Sequence, residues 1–189
     1  MVEFINYLLQ FGNLNKQQID LITSKATEIE LKKDEYYWEA GKTVRQVGFL
    51  TDGVIRVFYY NNKSEEITRY FIEENHLILS GNTVDEVFTP SEYLSAINDC
   101  KLVVFSKQDW KDLSATIIGW DSIIQKIITK HHGEKIARRS ELVSQNGTER
   151  YLDFIEKFPS LVNRVPLSYI ASYLGITQSS LSRIRKNIR

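Results

Sequence analysis

The spacing of apolar residues changes along the chain and predicts helices first and strands afterwards. Up to about residue 27 the apolar positions recur at helical intervals. From Glu28 the period falls to two, and short alternating segments are separated by turns rich in Asn, Asp and Gly. These segments are 28–31, 47–50, 54–60, 67–72, 93–97 and 102–105. Many short strands of this kind predict an all-β roll or sandwich, whose interior could hold packed side chains or a ligand.

A long helix is predicted after the last strand, with an apolar stripe whose members step by four and three residues. The stripe, which turns polar at its end, consists of Leu113, Ile117, Trp120, Ile124, Ile127 and His131. Such a repeat is typical of the seam between two paired helices. The alternative is a single helix lying on the β-roll, with Ile118, Ile123 and Ile128 widening its apolar face. Because one packing surface does not require a second apolar face, we predict a dimer interface along the stripe.

The last segment, 166–189, predicts two short helices joined by a tight turn. Pro166 suits the first position of a helix, and Gly175 suits its end because glycine adopts a left-handed conformation without strain. Thr177 is a favourable N-cap for the second helix. The residues of that helix that are spaced to face inward are Leu181, Ile184 and Ile188. This layout is that of a helix-turn-helix, whose second helix enters the major groove of DNA.

Charge favours this interpretation over an ordinary helical hairpin with a solvated basic face. Residues 161–189 contain five Lys or Arg residues and no Asp or Glu. Residues 134–189 contain 10 Lys or Arg against 5 Asp or Glu, whereas residues 1–116 contain 12 against 18. The overall charge of zero therefore hides a basic C-terminal part attached to an acidic N-terminal part.

Composition excludes several classes of protein. The single cysteine, Cys100, rules out a disulfide framework and an intrachain cysteine cluster for zinc or iron–sulfur. No segment approaches the roughly eighteen apolar residues that span a bilayer. The N-terminus has an acid where a signal peptide has basic residues. We therefore expect a cytoplasmic protein with no membrane partner.

The order of these parts and three sequence markers resemble the Crp/Fnr family of bacterial transcription regulators. The markers are Gly41 and Gly53 with the segment LTDGVIRVF, Arg150 at the start of a helix, and IASYLGITQSSLSRIRK, which is similar to the short form found in many Bacteroidetes members. The resemblance covers nearly the whole chain and implies an α+β fold. Its parts would be an N-terminal double-stranded β-roll of the jelly-roll, cyclic-nucleotide-binding-like kind with N-terminal helices (1–112), a long dimerisation helix (113–145) and a helical helix-turn-helix domain (146–189).

The resemblance also implies a mechanism. A homodimer would bind double-stranded DNA at a palindromic operator when an unidentified small-molecule effector in the β-roll shifts the dimer helices, with RNA polymerase as a further partner. Matched to the family's motif, the residues at base-reading positions are Gln178, Ser179 and Arg183. Those at phosphate-contact positions are Ser168, Thr177 and Ser180. Further polar or positively charged residues are Ser182, Arg185, Lys186 and Arg189. Arginine at a base-reading position suits guanine, which offers it two acceptors.

The same comparison predicts that the effector is not cyclic AMP in the family's usual pose. Members that bind this nucleotide use a Gly-Glu pair for the ribose and an Arg-Ser/Thr pair for the phosphate, where this chain has Leu79-Ser80 and Pro90-Ser91. A buried phosphate needs a cation or several N–H donors, and Pro90 supplies neither. The hydroxyl pair that meets the adenine is replaced by Lys135 and Ile136. The predicted pocket residues are Tyr70, Phe71, Leu79, Ser80, Pro90, Ser91 and Tyr93, with the loop Asn82–Pro90.

No cofactor and no enzymatic activity are predicted. A haem or metal site is not expected, because His76 suits a surface turn and His131 and His132 point to different faces of a helix. No cupin-like histidine cluster, catalytic triad spacing or phosphate loop is present in the sequence. The alternative function is an effector-binding or interaction protein whose helix-turn-helix does not bind DNA. The end of the sequence directly after the second helix, without the terminal hairpin of longer relatives, favours that alternative.

Overall fold

The computed structural model describes residues 1–79, 89–141 and 145–188, and of residues 134–141 only the backbone. The helices are α1 (Val2–Leu9), α2 (Lys16–Lys25), α3 (Lys107–Thr116), α4 (Trp120–Glu141), α5 (Gly147–Lys157), α6 (Leu167–Leu174) and α7 (Gln178–Asn187). The strands are β1 (Thr27–Leu31), β2 (Tyr36–Trp38), β3 (Gln46–Asp52), β4 (Ile55–Tyr60), β5 (Glu66–Ile72), β6 (His76–Ile78), β7 (Tyr93–Ala96) and β8 (Cys100–Ser106). The predicted α+β class is confirmed. In the described parts of the chain, no helix has the length and apolarity of a membrane span.

The strands form two four-stranded antiparallel sheets that pack on each other. One sheet has the order β1-β8-β3-β6 and the other the order β2-β7-β4-β5. Side chains from both sheets fill the space between them, including Leu50, Ile55, Val57, Ile72, Leu94 and Leu102. Successive residues of a strand point to opposite faces, so each sheet also presents an outer face to the helices. We call residues 27–106 the β-domain and residues 145–188 the C-terminal module.

All six segments predicted as strands lie in strands, with ends that differ by one or two residues. Strands β2 and β6 were not predicted, because three residues are too few to show an alternating pattern. Gly53 has a φ of 101° in the turn between β3 and β4. A Cβ atom there would lie 2.6 Å from the Cys100 sulfur, so this turn requires glycine.

A second core lies where the N-terminal helices and α3 and α4 cover the outer face of the first sheet. The Phe4 ring lies 4.9 Å from the ring of Phe49 and 5.4 Å from that of Phe105, measured between centroids. Trp110 of α3 meets Trp120 of α4 edge-on at 5.1 Å. The core of the N-terminal part therefore extends well past residue 112, the predicted end of the first domain, to at least Ile127.

The predicted dimer interface is wrong, because its side chains are already buried within one chain. Leu113, Ile117, Trp120, Ile124, Ile127 and His131 are between 0 and 8 % exposed. The predicted single helix is also divided into α3 and α4, and Gly119 between them has a φ of 87°. Apolar residues spaced by four and three fit any packed surface, so the spacing could not distinguish a partner helix from the chain's own sheet. In the first half of α4 the exposed side chains include the polar residues Asp121, Ser122, Gln125 and Thr129.

We predict that Ile127→Ala destabilises the single chain. Ile127 is completely buried, and truncating a buried isoleucine leaves a cavity that costs about 2–5 kcal/mol. The control Ser122→Ala, on the exposed face of the same helix, should change the free energy of unfolding by about 0.5 kcal/mol or less. Urea unfolding at several protein concentrations measures both. A native unfolding free energy for Ile127→Ala would contradict the assignment of this stripe to the core.

Candidate nucleic-acid interface

The turn between α6 and α7 is closed by backbone hydrogen bonds that need glycine. Gly175 has a φ of 68°, and its N–H donates to the carbonyl of Ser172 at 3.2 Å. The Ile176 N–H donates to the carbonyl of Ala171 at 3.0 Å, which completes the glycine-ended C-cap known as the Schellman motif. Helix α6 begins at Leu167, one position later than predicted from Pro166.

Helix α7 begins at the predicted N-cap. The Thr177 hydroxyl accepts a hydrogen bond from the Ser180 N–H at 3.1 Å. Leu181 is completely buried in the core of the C-terminal module, and Ile184 is partly buried against it. Ile188 is 40 % exposed, so its predicted inward orientation is corrected: it lies just beyond the last residue of α7.

Four of the predicted DNA-binding residues of α7, Gln178, Ser179, Arg183 and Lys186, are exposed and define its outward face. The N-cap Thr177 and Ser168 of α6 are also exposed, whereas Ser180, Ser182 and Arg185 are partly buried. Arg189 lies outside the described residues. Among the described residues, the three cations of α7 form no ion pair, and α6 and α7 contain no acid. This face can therefore offer hydroxyl, amide and guanidinium donors to an anionic partner.

The Arg150 side chain hydrogen-bonds to two backbone carbonyls, one of them at the end of α6 next to the turn. Its Nε donates to the carbonyl of Gln145 at 3.0 Å, and an Nη donates to the carbonyl of Leu174 at 2.9 Å. The second bond satisfies a carbonyl at the end of α6, where no intrahelical partner exists. Arg150, one of the three sequence markers, therefore links the segment that leads into α5 to the end of α6.

The C-terminal module packs on the outer face of the β-domain's second sheet. Phe71 of β5 is 5 % exposed, and its ring centroid lies 5.6 Å from that of Tyr173 and 6.3 Å from that of Phe154. Val54 and Ile97 belong to the same buried cluster as the apolar side chains of α5, α6 and α7. The hairpin of α6 and α7 therefore packs on the sheet, and the two share one continuous hydrophobic core.

An ion pair closes the edge of this junction. Arg164, between α5 and α6, donates to Glu74 through both terminal nitrogens, at 3.1 Å for the longer bond. The Gly53 N–H donates to the same carboxylate at 3.0 Å. Burial alone raises the pKa of Glu74, but these hydrogen bonds outweigh it, and its pKa is lowered from the ordinary 4.5. Glu74 is therefore held in the charged form that the Arg164 contact requires.

The predicted effector-pocket residues that the structure describes do not surround one cavity. Tyr70 packs on the side chains between the sheets, whereas Phe71 lies on the outer face against the C-terminal module. Tyr93 also lies on the outer face, with its ring 5.2 Å from that of Phe58. Leu79 packs on the core beneath α1 and α4. The assignments of Phe71, Leu79 and Tyr93 to an interior pocket are therefore corrected. Pro90 is buried, Ser91 is exposed, and Ser80 and residues 82–88 lie outside the described residues.

A polar cavity of about 540 Å³ lies elsewhere, between α1, α4 and the turn joining β5 to β6. His76 and His131 stack face to face there, with ring centroids 3.8 Å apart. The Tyr7 hydroxyl lies 2.9 Å from Nε2 of His131. His76, predicted to lie in a surface turn, is instead half-buried at the start of β6. His131 and His132 point in different directions as predicted, since His131 is buried and His132 is exposed. In the described parts of the chain, no cluster of His, Cys, Asp and Glu suits a metal ion.

The fold is similar to that of several solved bacterial regulators. FixK2 from Bradyrhizobium japonicum is 16 % identical, with a TM-score of 0.72 over 86 % of this chain and 84 % of that chain. The c-di-GMP responsive regulator CLP from Xanthomonas campestris is 13 % identical, with a TM-score of 0.73 over 92 % and 91 %. A protein from Eubacterium rectale assigned to the Crp/Fnr family is 16 % identical, with a TM-score of 0.74 over 96 % and 87 %.

These likenesses show that the chain has the fold of such regulators. No protein-family model and no curated protein sequence matches the chain. Identities of 13–16 % with these proteins show a shared fold but do not assign a function to this chain.

We predict that Gly175→Ala destabilises the C-terminal module by about 1–2 kcal/mol, because a side chain at this φ is strained. Gly175→Asn is the matched control, since asparagine tolerates the left-handed conformation better and should lose less stability. Thermal unfolding followed by circular dichroism measures both variants. Equal stability of Gly175→Ala and the native protein would contradict the role assigned to this turn.

Proposed function

We propose that the chain is a DNA-binding transcription regulator of the Crp/Fnr type. The main support for the proposal is the outward face of α7, which has exposed hydroxyl, amide and cationic side chains. The opposite face of the same helix packs into the core of the C-terminal module. The fold shared with FixK2 and CLP supports it. A helix presented in this way fits the major groove of DNA, where such side chains reach base edges.

The residues of this face take different roles in the proposal. Arg183 reads a base, because an exposed guanidinium can donate two hydrogen bonds to guanine. Gln178 and Ser179, the first two residues of the same helix, are the other base-reading positions. Lys186 contributes attraction to phosphates, which does not depend on sequence. Ser168, Thr177 and Ser180 contact phosphates near the N-terminal end of α7, which carries a partial positive charge. Ser182 and Arg185 flank this set and add a hydroxyl and a charge.

The proposal includes a homodimer that binds a palindromic operator with half-sites about 10 bp apart. The dimer surface cannot be the buried stripe of α3 and α4, so a partner must meet other residues. Two chains on one operator duplex in analytical ultracentrifugation are the expected stoichiometry, and one chain per duplex would contradict it. The proposal also includes an action on RNA polymerase. In vitro transcription from a promoter that carries the selected operator tests this action.

We predict that Arg183→Ala and Lys186→Ala affect DNA binding differently. On a duplex selected from a random pool by the native protein, Arg183→Ala should weaken binding by about 1–3 kcal/mol and relax the preference for that sequence. Lys186→Ala should weaken all duplexes equally and make the log–log dependence on salt less steep. Lys63→Ala, which removes an exposed cation of the β-domain, is the control and should change neither.

Gel-shift titrations across a range of salt concentrations give both quantities. Unchanged affinity of Arg183→Ala for the selected duplex would contradict the docking of α7. A flat salt dependence of the native protein would instead favour an interaction protein that does not bind DNA.

We predict that cyclic AMP binds no tighter than about 10 µM, roughly −7 kcal/mol. The described side chains of the two sheets pack against each other between them, and Pro90 offers the phosphate neither a charge nor an N–H. Calorimetry with cyclic AMP, and with cyclic GMP for comparison, checks the prediction, and tighter binding would show that another group neutralises the phosphate.

A further inference from the structure

Arg56 is a buried cation at the junction between the β-domain and the C-terminal module. It is 2 % exposed and is the second residue of β4. Its guanidinium carbon lies 3.9 Å from the ring centroid of Tyr169 in α6 and 4.4 Å from that of Phe58 in its own strand. Its Nε donates to the Thr68 hydroxyl at 2.9 Å, and an Nη donates to the Glu66 carboxylate. The guanidinium thus contacts one aromatic ring from each part of the molecule.

A second contact of α6 lies beside it. The Thr68 N–H of β5 donates to the Ser172 hydroxyl at 2.9 Å, and that hydroxyl donates to the carbonyl of Glu66 at 3.2 Å. Among the described strands, β5 is the edge of its sheet, and on this side its backbone groups pair with the Ser172 side chain of α6. Tyr169 and Ser172 are three residues apart and share one face of α6. One helix face therefore covers both Arg56 and the edge of β5.

We propose that Arg56 is a positioning residue, which together with Tyr169 and Ser172 forms a latch that fixes the orientation of α6, and with it α7, on the β-domain. The effect on DNA rests on the proposed function, whereas the latch itself does not. Glu66 and Thr68, which pair with Arg56, both belong to the β-domain. The latch can therefore open without leaving an unpaired buried charge, which would be strongly unfavourable.

Distances between spin labels test the latch without DNA. Asn62 of the β-domain and Asn187 of α7 are exposed and accept Cys substitutions for labelling. Cys100 is 1 % exposed, and burial raises the pKa of its thiol to about 11, so it reacts slowly. Labelled protein is mixed with excess unlabelled protein, so that only distances within one chain are measured.

The native chain should give one narrow distance distribution. Tyr169→Ala, which removes the ring, and Arg56→Lys, which keeps the charge but not the planar group, should broaden it. Tyr169→Phe keeps the ring and should leave it narrow. Circular dichroism shows whether each variant is folded. If Arg56→Lys does not fold, the distance distribution of Tyr169→Ala alone tests the latch. A narrow, native distribution for Tyr169→Ala would overturn the latch.

Affinity for the selected duplex tests the positioning role. Tyr169→Ala should bind roughly tenfold more weakly, because only the fraction of chains with α7 correctly oriented binds. Its salt dependence should keep the native slope, since no phosphate contact is removed. Unchanged or tighter binding with a broadened distance distribution would overturn the positioning role. If the native protein binds no duplex, the proposed function fails, and the label distances still decide the latch.

Discussion

The packing of Phe71 between the β-domain and the C-terminal module determines where the α6–α7 hairpin lies. The C-terminal module alone is smaller than the about 60 residues at which a single core becomes marginally stable. Its apolar side chains complete their burial only with Val54, Phe71 and Ile97 of the β-domain. The same apolar contacts that stabilise the module therefore also hold it against the second sheet of the β-domain.

Polar contacts around this apolar centre determine which orientation the module adopts. Burial of Phe71 alone is non-directional, since apolar contact depends on area and not on angle. The Arg164–Glu74 pair lies on one side of it, and Arg56 with Ser172 lies on the other. Charged hydrogen bonds demand defined geometry, so the two groups together restrict rotation of α6 on the sheet. Stability thus comes mainly from the apolar cluster, and orientation comes from the polar groups that flank it.

Local signals were enough to predict the α6–α7 hairpin and most strands. Gly175 and Thr177 satisfy backbone groups within a few residues, so their roles could be read from spacing. The dimer interface predicted from the apolar stripe through Ile124 was wrong for a physical reason. Periodicity shows that a helix face is buried, but it does not show what covers that face. The faces of Tyr70 and Phe71 could not be assigned either, because a shift of one residue in register exchanges the two faces of a strand.

A sequence signal for the junction did exist in β4. Arg56 is the one cation in the apolar run Val54–Phe58, and a charge within a buried strand requires partners. Those partners come from β5 and α6, which only the fold brings together. Tyr70 and Phe71 are consecutive residues on opposite faces of β5, so the strand contacts the interior of the β-domain on one side and the C-terminal module on the other. Any displacement of Tyr70 that moves this backbone also moves Phe71, and through it the surface on which α6 rests.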